Sequence, residues 1–324
     1  MFMNRRGTTT GTVCAALLAA GALAGCSGSS AGATGTTPST GTSTGTSASG
    51  AQGRLPVVVS FYPLQFALER VGGPHVAVRN LTAPGAEPHD LELTSQDVVA
   101  VSDAALVVHL SGFKPDVDEA VRAQAPSTAL DVATAAELDR TAPDEDGKEV
   151  RDPHFWLDPL RLAAVADSLA GKLSALDPAH AADFTANAAR LRADLTALDG
   201  ELRTGLATCA VRDLVTSHLA FGYLAQRYGM NQIGISGLSP ETEPNARTLA
   251  EVTNAVRERK VRTVYYETLV SPDVARTVAA ETGAATAVLD PLEGLTEKAG
   301  AGSSDYLSVM RENLATLRTG QACT

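Results

Sequence analysis

Four side chains in this sequence have the types and positions that could hold a metal ion. They are His89, His154, His218 and Asp290, separated by 65, 64 and 72 residues. Ligands so far apart cannot form a local finger, so only a folded body can bring them together. Each lies at or just beyond a predicted strand end or the loop that follows it. Because open α/β sheets bind ligands beyond the carboxyl ends of their strands, we expect the four side chains to converge there.

The donor types favour Zn²⁺ as the ion. Neutral imidazole is a borderline donor that suits zinc, and three histidines with one carboxylate fill a tetrahedral shell. A filled shell leaves no open position for an activated water molecule, so the pattern favours capture of the ion over catalysis. The carboxylate position has alternatives: Glu267 ends another predicted strand and could replace Asp290 or support a ligand from behind, Glu87 lies near His89, and water could replace Asp290.

Strands and helices alternate in the segments that would position these residues. Apolar, mostly Val-rich runs predict strands at 55–60, 76–81, 105–109, 212–217, 231–236, 261–267 and 285–289. Helical spacing predicts helices at 61–71, from 94, near 115, and at 219–228, 245–259, 272–282 and 304–318. This alternation predicts an α/β fold with largely parallel sheets, in an N-terminal lobe at 54–158 and a C-terminal lobe at 207–324.

Residues 159–206 interrupt the alternation, because they contain no strand signal. One helix is predicted at 159–175 and a longer one from about 178 to 205. The apolar positions of the longer helix recur every three or four residues. At 1.5 Å per residue it would be roughly 40 Å long. We therefore expect a stiff helical connector between the lobes, with the metal site in the cleft.

Five motifs give the chain a resemblance to a known family. They are GAEPHD at 85–90, DPHFWLDP at 152–159, SHLAFGY at 217–223, GISGLSP at 234–240 and LDPL at 289–292. Together they resemble the metal-binding solute-binding lipoproteins of ABC importers, in the zinc branch, from about residue 54 onward. The resemblance implies two α/β lobes joined by one long helix. It also implies Zn²⁺ as the transported ligand, with a membrane permease and its ATPase as partners.

The resemblance also assigns the ligand positions. His89, His154 and His218 fall on the three histidine positions of the family, and Asp290 falls on its carboxylate position. Manganese-selective relatives carry a carboxylate where this chain has His218, so Zn²⁺ is favoured over Mn²⁺ or Fe²⁺. Many zinc-branch members have a long His-rich loop before the second ligand. Here residues 143–151 (PDEDGKEVR) are short and acidic, so we expect only a solvated loop.

The N-terminus has the features of an exported lipoprotein. Arg5 and Arg6 precede an uncharged apolar stretch at 11–24, which is too short to span a bilayer as a mature helix. The sequence Leu-Ala-Gly-Cys ending at Cys26 resembles a lipobox, so residues 1–25 are predicted to be a signal peptide and Cys26 the lipidated residue. The rest of segment 26–53 is rich in Ser, Thr and Gly, which predicts a flexible tether. This organisation places the protein at the outer face of a bacterial cytoplasmic membrane.

The four cysteines fit the same compartment. Cys14 lies in the predicted signal peptide and Cys26 is the predicted lipidation site. Cys209 and Cys323 remain, in a compartment where disulfides persist. We expect a disulfide between them, which would close a loop of more than 100 residues; two buried free thiols are the alternative.

Composition and motifs exclude several classes of protein. The formal net charge of −11 argues against a nucleic-acid partner, since phosphate binding requires a basic surface. The sequence contains no P-loop, and no G-x-S-x-G elbow lies between a predicted strand and a predicted helix. A secreted zinc hydrolase remains the rival from a different class, and a surface adhesin role could accompany transport. We expect a monomeric binding protein and no enzyme.

Overall fold

The N-terminal sheet consists of four parallel strands in the order β2-β1-β3-β4. They are β1 (Leu55–Val59), β2 (Val76–Asn80), β3 (Leu106–His109) and β4 (Ala129–Asp131). The helices that follow are α1 (Tyr62–Gly72), α2 (Ser95–Asp103) and α3 (Pro115–Gln124). Both faces of β1 are buried: Val57 and Val59 join one apolar cluster, whereas Val58 joins another with residues of α2 and α3. A strand covered on both sides reads as a continuous apolar run, which is why β1 was predictable.

The computed structural model describes residues 53–144, 147–296 and 304–324. The predicted signal peptide, Cys26 and residues 27–52 of the tether lie outside the described residues, as does Cys14. Each helix that the structure describes is too short or too polar to cross a membrane.

A small antiparallel hairpin follows the N-terminal sheet. It pairs β5 (Thr141–Pro143) with β6 (Glu149–Arg151). The sequence predicted only a solvated loop at 143–151. Most of the described residues in this stretch are exposed, but both of its ends belong to strands. Three-residue polar strands leave no apolar alternation for a sequence pattern to detect.

The predicted connector is a pair of helices, α4 (Pro159–Leu176) and α5 (Ala181–Gly205), which pack against each other. The Asp158 side chain caps α4 by accepting a hydrogen bond from the backbone N–H of Leu160. The 25 residues of α5 give it a length of about 37 Å. Its apolar side is fully buried and belongs to the same cluster as residues from both sheets. The connector is therefore part of a continuous core.

The C-terminal sheet repeats the topology of the first. Its parallel strands are β7 (Asp213–Thr216), β8 (Asn231–Gly234), β9 (Thr263–Tyr266) and β10 (Ala285–Val288), in the order β10-β9-β7-β8. Its helices are α6 (Gly222–Tyr228), α7 (Ala246–Glu258), α8 (Asp273–Thr282) and α9 (Tyr306–Gly320). In both sheets the chain starts at an inner strand, crosses to one edge and then returns past the starting strand. The crevice beyond the carboxyl ends of β7 and β9 is thus a topological switch point, where ligands of such sheets bind.

A disulfide closes the C-terminal part of the chain. Cys209 lies shortly after α5, and it is bonded to Cys323, 114 residues later and next to the last residue. Backbone hydrogen bonds from Ala210 to Ala322 and from Val211 to Gln321 join the same two segments. The end of α9 is therefore attached to the start of the C-terminal sheet.

Candidate metal centre

The structure brings three of the four predicted side chains together, with a different carboxylate. One possible ligand atom from each of His89, His154, His218 and Glu293 lies within 4.8 Å of all the others. The Nε2 atoms of the three histidines surround a single oxygen, Oε1 of Glu293, at 3.3, 2.9 and 3.1 Å respectively. Segments from four distant parts of the sequence therefore converge on one point.

Four of the donor separations are close to those of a zinc-sized shell. In a tetrahedron the edge is about 1.6 times the centre-to-corner distance, so metal–nitrogen bonds of 2.0–2.1 Å imply nitrogen atoms about 3.3–3.4 Å apart. The Nε2 atoms of His154 and His218 are 3.4 Å apart. The nitrogen–oxygen distances to Glu293 are similar. All four donor atoms lie within 4.8 Å of one another, a spacing within reach of a single ion.

The centre is almost completely shielded from solvent. The side chains of His154, His218 and Glu293 are 0% exposed, and that of His89 is 10% exposed. The second oxygen of Glu293, Oε2, is buried and has no hydrogen-bond partner among the described residues. A buried carboxylate with an unpaired oxygen is costly unless a cation compensates it. This arrangement therefore fits the binding of a cation.

His154 is oriented by the aspartate two residues before it. Its backbone N–H and its ring Nδ1 both donate to Oδ1 of Asp152, at 3.0 and 2.9 Å. This bond keeps a proton on Nδ1, so Nε2 is the nitrogen that faces the centre and can bind a metal once it loses its own proton. Gly222 at the start of α6 allows Asp152 to lie this close, because a Cβ atom there would be 2.5 Å from Oδ2 of Asp152.

His218 is held in the same way, from the switch point of the C-terminal sheet. It follows β7, and its backbone N–H and Nδ1 both donate to Oε1 of Glu267, at 3.3 and 2.7 Å. Glu267 comes directly after β9, the neighbouring strand. The carboxylate that the sequence offered as a substitute ligand thus contacts the far side of the His218 ring.

His89 is held mainly through its backbone. It lies in a short 3₁₀ helix, Pro88–Asp90, and its N–H donates to Oε1 of Glu87 at 3.2 Å. Its carbonyl accepts a hydrogen bond from Nζ of Lys114 at 2.9 Å. The ring packs edge-on against Phe113, with centroids 4.7 Å apart. Glu87 therefore supports His89 and does not belong to the four-residue cluster.

Asp290, the carboxylate expected from the sequence, does not belong to the cluster either. Its Oδ1 accepts from the backbone N–H of Leu292 at 2.8 Å, and its Oδ2 accepts from the hydroxyl of Thr268 at 3.2 Å. Asp290 therefore shapes the turn that delivers Glu293. Asp290 was expected as the ligand because it is the first acidic residue after the end of a predicted strand. In the structure, Leu292 has a left-handed backbone (φ 57°) that redirects the chain, so that Glu293 reaches the centre in its place. No motif in the sequence signalled Glu293.

The charges of the centre are strongly coupled. Burial raises the pKa of Glu293, but the neighbouring His218 and His154 outweigh burial and hold that pKa well below its usual value. Burial lowers the pKa of His218, yet Glu267 and Glu293 together raise it well above the usual imidazole value. The pKa of His154 is also raised, since Asp152 and Glu293 outweigh its burial. Burial dominates at His89 and lowers its pKa.

One prediction concerns the orienting carboxylates. Asp152→Asn should weaken zinc binding by about 10- to 100-fold, because the amide cannot hold the His154 ring as strongly or raise its basicity. Competition titration against a chromogenic zinc chelator measures the change. Asp139→Asn, at an exposed carboxylate paired with Arg161, is the control and should leave the affinity unchanged. Equal affinity of both variants would show that the Asp152 contact is not needed.

Comparison of the sequence with known proteins identifies relatives that are named for zinc binding or zinc uptake. A sequence profile of the family described as "Zinc-uptake complex component A periplasmic" matches residues 57–320. Among curated proteins, the chain is 36% identical over 289 residues to "Zinc-binding protein AdcA" of Streptococcus pyogenes serotype M6, covering 83% of this chain but 56% of that protein. It is 32% identical over 277 residues to "High-affinity zinc uptake system protein ZnuA" of Bacillus subtilis, covering 82% of this chain and 87% of that protein.

A solved structure matches to a similar extent. The Zn(II)-bound ZnuA-like domain of Streptococcus pneumoniae AdcA superposes with a TM-score of 0.71 at 33% identity. The match covers 83% of this chain and 99% of that domain. The predicted class of fold, two α/β lobes with parallel sheets and a long helix, is thereby confirmed. Because the profile spans most of the chain, the protein belongs to the family of zinc-uptake complex component A, the periplasmic component.

Proposed function

We propose that this protein captures Zn²⁺ outside the cytoplasm and delivers it to an ABC-type importer. The four-residue cluster carries this proposal, with His89, His154, His218 and Glu293 as the ligands. Three imidazoles and one carboxylate suit zinc, and the 3.4 Å between the Nε2 atoms of His154 and His218 is the separation that its tetrahedral shell requires. With all four positions filled by the protein, no site is left for an activated water, so binding is favoured over hydrolysis.

The relatives support zinc as the cargo and import as the purpose. AdcA and ZnuA are named for zinc binding and zinc uptake. This chain spans only 56% of the length of the AdcA relative. The proposal of zinc binding for this chain therefore rests on the geometry of the metal centre as well as on sequence similarity. The sequence has no P-loop, so the energy for import would come from a partner ATPase acting with a membrane permease.

The proposed location is the outer face of the cytoplasmic membrane. The lipobox-like sequence ending at Cys26 supports attachment through lipid, and an S. pneumoniae relative is named a zinc-binding lipoprotein. A tether of 27 residues has a reach of roughly 30 Å, which would let the folded body approach a permease while it remains anchored. We propose that the protein acts as a monomer.

Titration of the metal-stripped protein tests the proposed function. Calorimetry should show one equivalent of Zn²⁺ bound per chain. Competition with Mn²⁺ and Fe²⁺ should leave Zn²⁺ in the site, because imidazole-rich sites follow the Irving–Williams trend. Failure to bind zinc, or stable displacement of zinc by equimolar Mn²⁺, would refute the proposal. Elemental analysis of protein purified without added metal supplies an independent check.

The affinity for zinc should fall as the pH is lowered. Metal requires neutral imidazole, and the raised pKa values of His154 and His218 mean that protons are held more tightly than on free imidazole. Zinc must then displace protons already above pH 6.5, and the loss should steepen towards pH 5. Titrations between pH 8 and pH 5, in buffers with different ionisation enthalpies, measure both the affinity and the protons released. An affinity that stays flat over this range would contradict imidazole ligation.

A further inference from the structure

The segment that delivers Glu293 has an unusual backbone. We call residues 290–293 the carboxylate turn. Within it Leu292 has a φ of 57°, in the left-handed region that a branched apolar residue rarely adopts, and its side chain is fully buried. Such a conformation persists only where the surrounding structure enforces it. The contacts that enforce it therefore determine where the Glu293 carboxylate lies.

Two of these contacts come from the C-terminal lobe itself. The side-chain amide of Asn313 in α9 bonds both backbone groups of Asp290: Oδ1 accepts from its N–H at 2.9 Å and Nδ2 donates to its carbonyl at 2.7 Å. The Asp290 carboxylate then accepts from the N–H of Leu292. These bonds fix the first half of the carboxylate turn to α9.

The third contact comes from the segment that carries His154. The indole Nε1 of Trp156 donates to the carbonyl of Pro291 at 2.7 Å. Trp156 is fully buried, two residues after His154, and its ring lies 5.3 Å from the His154 ring. The hydroxyl of Tyr306 in turn donates to the Trp156 carbonyl. One indole N–H thus joins the peptide segment of one metal-centre histidine to the turn that carries the carboxylate.

We propose that Trp156 is a positioning residue for metal capture: its indole N–H holds Pro291 so that His154 and Glu293 reach the same ion. The proposal rests on the function proposed above and deepens it. Since the indole bonds the middle of the carboxylate turn, the backbone segments that carry His154 and Glu293 cannot separate without breaking that bond. The buried half of the centre, formed by the His154 segment and the carboxylate turn, is therefore preorganised as one unit.

The geometry separates this role from simple packing. Rings of Phe61 and Phe113 also surround Trp156, at centroid distances of 5.0 and 6.2 Å. Any large aromatic side chain could fill such a space, but phenylalanine has no N–H to donate. Trp156→Phe therefore removes the bond to Pro291 while it keeps most of the apolar contact. The buried Pro291 carbonyl would be left without this partner, which frees the carboxylate turn to shift.

The test compares Trp156→Phe with a packing control, Phe184→Leu. Phe184 is fully buried in α5 and contacts none of the four cluster residues through an aromatic pair. Trp156→Phe should weaken zinc binding about 10- to 100-fold, the range for partners that orient ligands. It should also alter the visible d–d absorption of the Co²⁺-substituted protein, which reports ligand geometry. Phe184→Leu should lower the thermal midpoint without changing either the affinity or the spectrum.

The outcomes distinguish this inference from the proposed function. If wild-type protein binds no zinc, the proposed function fails. If wild-type protein binds zinc but Trp156→Phe keeps the same affinity and the same Co²⁺ spectrum, only the positioning role of Trp156 is refuted.

A second measurement needs no variant. Trp156 is the single tryptophan of the chain, so the ¹⁵N-labelled protein gives one indole resonance. Its N–H should exchange slowly with solvent, and more slowly still after zinc is added. Exchange that zinc does not slow would also refute the positioning role, even if Trp156→Phe does not fold.

Discussion

Glu293→Gln is expected to bind zinc at least about 100-fold more weakly than the wild-type protein, which exceeds the usual loss for a residue that only orients a ligand. The substitution removes a fully buried negative charge whose oxygen lies within 3.3 Å of three imidazole nitrogens. A neutral amide neither compensates the charge of a divalent ion nor donates as strongly to it. Competition titration with a chromogenic chelator measures the loss.

The matched control is Asp290→Asn, at the carboxylate that the sequence favoured. An asparagine side chain keeps an oxygen that can accept from the Leu292 N–H, as Asp290 does at 2.8 Å. We therefore expect the carboxylate turn to persist and the zinc affinity to change less than about fivefold, since the contact is kept. The opposite pattern, with a large loss for Asp290→Asn and none for Glu293→Gln, would show that the sequence-based choice was right.

Removal of the disulfide should have the largest effect on stability. The bond between Cys209 and Cys323 spans 114 residues. In the chain-entropy model a loop of this size contributes about 4–5 kcal/mol, because the cross-link restricts the unfolded chain. The double substitution Cys209→Ala with Cys323→Ala should lower the free energy of unfolding in urea by about that amount.

Reduction of the wild-type protein is the control for the disulfide prediction, and it should reproduce the loss without any change of side-chain volume. Neither cysteine belongs to the metal cluster, so both forms should still bind one zinc ion where they remain folded. A loss of less than about 1 kcal/mol would show that the unfolded chain gains little freedom when the bond is absent.

Strands that are buried on both faces were the most readily predicted part of the fold. Continuous apolar runs such as 55–60 and 105–109 match β1 and β3 to within one residue at each end. The long helix was predictable from its regular apolar spacing, although the structure begins α5 at Ala181 after a short 3₁₀ turn. The strands β4, β5 and β6 were missed. Each has three residues and little buried apolar surface. These segments therefore form strands because they pair with neighbouring strands, and their local sequence pattern does not indicate it.

The metal centre, like the fold, was predictable from the sequence only in part. The three histidines could be identified because residue type, strand ends and distant spacing pointed to one site. Glu293 could not be identified, since its direction depends on a left-handed Leu292 and on bonds from Asn313 and Trp156. Those contacts join residues more than 20 positions apart, and no local pattern encodes them. The role of Asp152 behind the imidazole of His154 likewise became clear only from the folded geometry.

The most direct test of the proposed centre is a crystal structure of the zinc-loaded protein with anomalous data at the zinc edge. A single strong anomalous peak should lie within 2.0–2.2 Å of Nε2 of His89, His154 and His218 and of a Glu293 carboxylate oxygen. Asp290 should still bond the Leu292 N–H. A peak elsewhere on the chain, or one bound by fewer than two of these histidines, would contradict the account.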